Sequence, residues 1–300
     1  MTNERVVYVN GEMLPESLAT VSIGDLGFLY GDAVFDTTRT FGHRIFRLDE
    51  HLDRLYDSLK YMRIDPGLTK TQTADLTMQV LSANLPLIDE KDDYWVTQRF
   101  TRGVRGALEK NNPTVIIECY PLPFIERAGY YRDGLQIITP SIQRTSPEAM
   151  SPRAKTHNYA NIIQGDLEVK AQNSDAQAIL LDVNGNICEG SGANFFIVKA
   201  KGLVTPKEQY VLPGISRKVT IELAHELEMP IRDDDIDLFD VYTADEAFVT
   251  STSYCICPVR SVNGTMIGDE VPGPVTVRLQ EAYSRICGID FVGQYLSWLK

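Results

Sequence analysis

Arg153-Ala154-Lys155-Thr156-His157-Asn158-Tyr159 sets a lysine among other basic side chains, just ahead of a stretch that reads as helix. A primary amine in that setting can act as a Schiff-base nucleophile, although a solvated surface lysine has the same sequence appearance. Glu189-Gly190-Ser191-Gly192-Ala193-Asn194 places a carboxylate beside two glycines within a predicted strand. Glycines weaken a strand and admit close approach of a ligand, so the glutamate can be a buried counter-ion; a β-bulge with an exposed acid is the alternative. Leu212-Pro213-Gly214-Ile215-Ser216-Arg217 is a turn feeding into a helix. Its free N–H groups and the Ser216 hydroxyl make an anion site or, equally, a plain N-cap. Thr250-Ser251-Thr252-Ser253 ends an apolar run with hydroxyls that can bind phosphate oxygens or satisfy a turn. His51 and Arg54 lie three apart beside a leucine stripe, where an arginine can reach inward to an anion or sit in a surface ion pair.

These residues need a scaffold. The chain has 300 residues, which favours two domains, and its 43% hydrophobic and 23% charged content is that of an ordered globular protein. A net charge of −12 argues against general affinity for nucleic acid or anionic membranes. The first residues lack a basic segment followed by an apolar one, and no apolar run is long enough to span a bilayer. Five sparse cysteines form no disulfide framework, and Cys255 and Cys257 have the wrong spacing for a zinc knuckle. A cytoplasmic location is expected.

Strands are predicted over 5–10, 33–41 and 44–47, then at 94–101 and 114–120. Leu48, Leu52, Leu55 and Leu59 give one apolar stripe on a helix over 49–62, and a second helix is expected over 70–83. Pro121-Leu122-Pro123 opens a linker over 121–132 between a small domain (1–120) and a larger one (133–300). Beyond it come strands at 135–139, 177–183, 187–199 and 247–250, helices at 158–172, 216–228 and 274–286, and a hairpin at Asn263-Gly264. Clustered strands and helices, without strict alternation, indicate an α+β fold with hairpin-built sheets.

Taken in order, these segments resemble the class IV (fold-type IV) pyridoxal-phosphate aminotransferases, the branched-chain and D-amino-acid aminotransferase family. The resemblance begins at Tyr30-Gly31-Asp32-Ala33-Val34-Phe35 and runs through Phe46-Arg47-Leu48-Asp49-Glu50-His51-Leu52-Asp53-Arg54-Leu55 and the lysine, glutamate and Leu212–Arg217 segments. It ends at Pro258-Val259-Arg260 and Gly273-Pro274-Val275-Thr276. It implies a two-domain enzyme that uses pyridoxal 5′-phosphate, with Lys155 carrying the cofactor as an aldimine and serving as general acid/base. Glu189 would pair with the pyridine nitrogen. Arg54, Ile215, Ser216 and Thr252 would hold the phosphate, Tyr159 would contact O3′, and Ser191, Gly192, Ala193, Asn194, Gly214 and Ser251 would be further cofactor-binding residues.

The implied reaction is a ping-pong transfer of nitrogen from an amino acid or primary amine to a 2-oxo acid, in a homodimer. Elimination of pyruvate by an aminodeoxychorismate lyase type of reaction is the alternative on the same scaffold, and a non-catalytic binding protein a remote one. Branched-chain enzymes carry a Tyr-x-Arg pattern where this chain reads Tyr94-Trp95-Val96. The following Thr101-Arg102-Gly103-Val104-Arg105-Gly106 is similar to D-amino-acid and (R)-amine transaminases. Arg105 is therefore the first candidate for the substrate carboxylate, followed by Arg44 and Arg99, with Tyr30, Phe35, Tyr94 and Ser253 lining the pocket.

Overall fold

The computed structural model describes residues 4–106, 112–200 and 202–299. The chain divides into two compact units: Met1–Leu122 with Ala154–Asn158, and Pro123–Arg153 with Tyr159–Lys300. In the first unit β1 (Val6–Val9), β2 (Glu12–Pro15), β3 (Ala33–Phe41), β4 (Arg44–Ile45), β5 (Tyr94–Thr101) and β6 (Val115–Pro121) form one antiparallel sheet in the order β2-β1-β6-β5-β3-β4. Helices α1 (Leu26–Tyr30), α2 (Leu48–Met62) and α3 (Lys70–Asn84) complete it. Helix α2 has Asp49 and Glu50 in its first turn and Lys60 in its last, which suits the helix dipole. Thr69 and Gln72 form a capping box at the start of α3. The α2 stripe (Leu52, Leu55, Leu59) packs with Val34, Val96, Phe100 and Ile117 in a dry core. Each leucine so buried contributes roughly 2–3 kcal/mol before entropy is charged.

Ala154–Asn158 docks on the free side of β3. Phe35 N donates to Lys155 O at 3.0 Å, His157 N donates to Ala33 O at 2.9 Å, and Val34 bridges Thr156. The lysine segment is thus an added edge of the first unit's sheet.

The second unit contains α4 (Phe124–Asp133), β7 (Leu135–Ile138), α5 (Ala160–Gln172), β8 (Gln177–Leu181), β9 (Ile187–Gly190), β10 (Asn194–Lys199) and β11 (Gly202–Pro206). It continues through α6 (Ile215–Glu226), β12 (Ile231–Asp234), α7 (Leu238–Tyr242), β13 (Glu246–Ser251), β14 (Cys255–Val262), β15 (Thr265–Met266), α8 (Pro274–Cys287) and α9 (Phe291–Leu296). The sheet runs β12-β11-β10-β13-β14-β7-β8-β9, with β15 beside β14. Strand β9 also pairs with β10 through Glu189 and Asn194, so the strands from β10 round to β9 close on themselves. Phe196 and Phe248 stack at 4.9 Å across β10 and β13, and Tyr131 of α4 stacks on Tyr295 of α9 at 4.5 Å.

The structure departs from the sequence reading in three places. The expected linker 121–132 is mostly helix α4, whose Phe124, Ala128 and Tyr131 are buried at helical spacing; Pro123 is its N-cap rather than a break in structure. The expected strand 187–199 is two strands with a turn at Ser191-Gly192. The lysine segment, expected in the larger domain, belongs to the first unit. Residues 107–111 of the loop between β5 and β6 lie outside the described residues.

Candidate active site

In the first unit, β3 alternates so that Val34, Asp36 and Thr38 are buried, while Phe35 on the other face is half-buried. Lys155 Nζ lies 4.6 Å from the centroid of the Phe35 ring, and Arg99 Cζ lies 5.4 Å from it. Arg99 sits directly opposite Phe35 in the β3–β5 register. Its Nε donates to Glu118 Oε1 at 2.8 Å, and its Nη1 approaches His157 Nε2 at 3.4 Å. Burial first, and the Arg99 charge second, push the His157 imidazole down to about 4, so it is neutral at pH 7 and accepts from the guanidinium. Lys155 is held at its backbone as well: its N–H donates to Ser58 Oγ at 3.0 Å, and Ser58 Oγ donates to Arg54 O at 2.9 Å.

Arg54 is buried. Its Nε donates to Asp36 Oδ2 and its Nη2 to Asp36 Oδ1, each at 2.8 Å, and His51 Nδ1 meets Asp36 Oδ1 at 2.7 Å. Burial alone would raise the Asp36 carboxyl; Arg54 and then His51 outweigh it and hold the group well below the usual carboxylate range. Asp36 is absent from the candidates read from sequence; an acid on the core face of an apolar strand is the signal that could have found it.

In the second unit Glu189 is buried in the closing pair of the sheet. Arg144 Nε and Nη2 donate to its Oε1 at 3.2 and 3.1 Å, and Leu212 N donates to its Oε2 at 2.9 Å. Asn194 Nδ2 donates to Leu212 O at 2.9 Å, which fastens the turn before α6 to the same carboxylate. A Cβ at Gly214 would stand 2.1 Å from Asn194 Oδ1, so the turn requires glycine there. Gly214, not Ser216, is the N-cap of α6. The Ser216 hydroxyl donates instead to Ser251 O at 2.9 Å, because it lies one turn-step inside the helix, where it faces the end of β13. Ser191 bonds Asp166, whose carboxyl burial pushes up. Gly192 and Ala193 complete the β9–β10 turn, and Gly192 opens on space where a Cβ would meet nothing within 4 Å. Thr252 and Ser253 lie in the β13–β14 turn, Ser253 Oγ accepting from Arg127 Nη1. Tyr159 packs against the Ile162, Val169 and Leu180 cluster.

Two pocket candidates, Tyr94 and Arg44, lie elsewhere. Tyr94 is a core residue whose hydroxyl donates to Asn84 O at 3.1 Å; strand alternation puts it on the opposite face of β5 from Arg99. Arg44 is exposed at the β3–β4 hairpin, paired with Phe41, about 20 Å along β3 from Phe35. Arg105 Nη2 donates to the Tyr30 hydroxyl at 2.8 Å, and both side chains are exposed.

The family model described as amino-transferase class IV matches residues 33–262. A putative branched-chain-amino-acid aminotransferase of Methanocaldococcus jannaschii is 36% identical over 286 residues, covering 93% of this chain and 96% of that protein. The branched-chain-amino-acid aminotransferase of Escherichia coli strain K12 is 32% identical over 298 residues, 94% of each. Among solved structures, the E. coli branched-chain amino acid aminotransferase matches with a TM-score of 0.87 at 30% identity over 94% of both chains. The branched-chain amino acid aminotransferase from Thermobaculum terrenum, in its PLP (holo) form, matches with a TM-score of 0.84 at 26% identity, over 100% of this chain and 99% of that one. The chain belongs to the class IV aminotransferases, enzymes that depend on pyridoxal phosphate, and the two-domain α+β fold expected from its motifs is that of its structural relatives.

The donor set fits that cofactor. Lys155 offers a primary amine for an aldehyde. Glu189 offers a buried carboxylate, the charge type that a pyridinium N–H would pair with. Ile215 and Ser216, in the first turn of a twelve-residue helix, have no intrahelical acceptor for their N–H groups, a setting suited to phosphate. Beside Asn194 in the sheet, the buried Thr250 Oγ1 has no hydrogen-bond partner among the described residues.

Proposed function

We propose that this aminotransferase moves nitrogen from a branched-chain L-amino acid to a 2-oxo acid. The observation that carries the reading is the Phe35 ring flanked by Lys155 Nζ and Arg99, an amine base and a carboxylate partner against one apolar wall. The branched-chain names of its relatives support the apolar side chain. Bound pyridoxal phosphate supplies an electron sink that stabilises a carbanion at the substrate α-carbon. Arg54, Ile215, Ser216, Ser251 and Thr252 hold its phosphate, Glu189 its ring nitrogen, and Tyr159 its O3′ oxygen. Arg144 pairs with Glu189 and orients it. Lys155 Nζ removes the α-proton of the donor and returns a proton to the product, and Arg99 anchors the carboxylate so that the α-carbon is presented to that amine. In balance, the donor leaves as its 2-oxo acid and the acceptor leaves as an amino acid.

A second reading rests on the absent arginine at Val96 and the exposed Arg105–Tyr30 pair, which suit a D-amino acid or an (R)-amine. A donor screen separates the two: L-leucine, D-alanine and both enantiomers of 1-phenylethylamine, each with 2-oxoglutarate and with pyruvate. L-Leucine with 2-oxoglutarate is expected to give the highest kcat/KM; preference for D-alanine or (R)-1-phenylethylamine would replace the first reading with the second. The enzyme is further proposed to act as a homodimer in the cytoplasm, where its five buried free cysteines remain reduced.

A further inference from the structure

Asp36 has no side-chain exposure to solvent, and an isolated carboxylate there would be prohibitively costly. It is instead surrounded by donors: Thr37 N at 2.8 Å, His51 Nδ1 at 2.7 Å, and Arg54 through both Nε and Nη2. His51 and Arg54 are three apart on α2, so one helix face carries both to β3. Burial, with Arg54 and Lys155 adding to it against the pull of Asp36, lowers the His51 imidazole, leaving a neutral ring that gives its Nδ1 hydrogen to Asp36. Stability alone does not account for the cluster, because a buried ion pair can usually be replaced by apolar groups without loss. Its geometry does account for something else. The side-on pairing commits the Nε hydrogen and one Nη2 hydrogen of Arg54 to Asp36, which turns the Nη1 end away from that carboxylate. The same strand turn places Phe35, whose N–H donates to Lys155 O, and the same helix places Ser58, which accepts from Lys155 N.

We propose that Asp36 is a positioning residue for phosphate recognition: by gripping one edge of the Arg54 guanidinium it aims the other at the phosphate of pyridoxal phosphate. This rests on the reading that Arg54 binds that phosphate. The test titrates apoenzyme with pyridoxal 5′-phosphate and, separately, with pyridoxal, following binding by absorbance, in wild type, Asp36→Asn, Asp36→Glu and Arg54→Lys. Asp36→Asn is expected to weaken the phosphorylated ligand about tenfold or more while pyridoxal changes by less than about twofold. Asp36→Glu, which keeps the charge, recovers part of the difference. Equal weakening of both ligands would show a merely structural role and overturn the inference, as would an unchanged ratio. Should Asp36→Asn fail to fold, Asp36→Glu decides alone: a reduced preference for the phosphorylated ligand supports the proposal, and an unchanged one overturns it. An unaltered ratio in Arg54→Lys removes the underlying assignment and the proposal with it, whereas a changed ratio there with none in Asp36→Asn removes the proposal only.

Discussion

Lys155 is an amine whose backbone is pinned on both sides, by Phe35 N and by Ser58 Oγ, while its side chain shares an aromatic ring with Arg99. The arrangement distinguishes the two surviving arginine candidates. Arg99→Ala is expected to raise KM for the 2-oxo acid at least tenfold with little change in cofactor binding, and Arg105→Ala to leave it within about threefold. The reverse pattern in steady-state kinetics would assign the carboxylate to Arg105. His157 carries a pH signature. Its ordinary value near 6.5 falls to about 4 in the native chain, so between those pH values the unfolded chain binds a proton that the native one excludes. Stability from this group is complete above about pH 6.5 and is lost as pH drops through the window, by up to about 3 kcal/mol. Urea unfolding at pH 7 and pH 5 should show the loss. His157→Gln should reduce the slope without abolishing it, because His51 is lowered in the same sense.

At the scale of elements, the turn before α6 is sewn to β9 and β10 through Leu212, Glu189 and Asn194, leaving no room for a Cβ at Gly214. Gly214→Ala must dislodge the buried Asn194 amide. A loss of about 1–3 kcal/mol in apoenzyme stability, with weaker binding of pyridoxal phosphate, is expected from thermal unfolding and titration. The sequence makes such elements legible where a period or cap is strong: β3, α2 and β5 fall where the alternation and the leucine stripe put them. It misleads where punctuation is ambiguous. Pro121 and Pro123 read as a break, yet Pro123 caps a helix; Gly190 and Gly192 read as a weakened strand, yet Gly190 ends β9 and Gly192 lies in the turn that follows. Family resemblance places Tyr94 in the pocket, although the parity of its spacing from Arg99 already puts it on the other face. Asp36 and Arg144 escape notice because a buried acid and its partner are defined by contacts between residues 15 to 45 positions apart, which no local pattern records.

For the molecule as a whole, large apolar side chains are exposed along one stretch of the first unit: Leu18, Ile23 (85%), Phe28 (70%) and Tyr30, with Val104 against Gly24. Such a surface is unusual for a monomer and supports the proposed homodimer. Sedimentation of wild type should give twice the chain mass, and Ile23→Glu with Phe28→Glu should shift it to one chain mass; a monomeric wild type would overturn that assignment. The −12 charge needs no conflict with anionic ligands, since arginines and helix-start amides act locally.

The added edge on β3 also has a consequence for biosynthesis. A ribosome that has released residues up to Leu122 has delivered every named strand of the first sheet, but not Ala154–Asn158. Until about thirty more residues emerge, Ala33 and Phe35 present an open backbone edge, the kind of template on which nascent chains join one another. The reactive amine arrives as the cover of that edge, so the step that finishes the sheet is also the step that arms it.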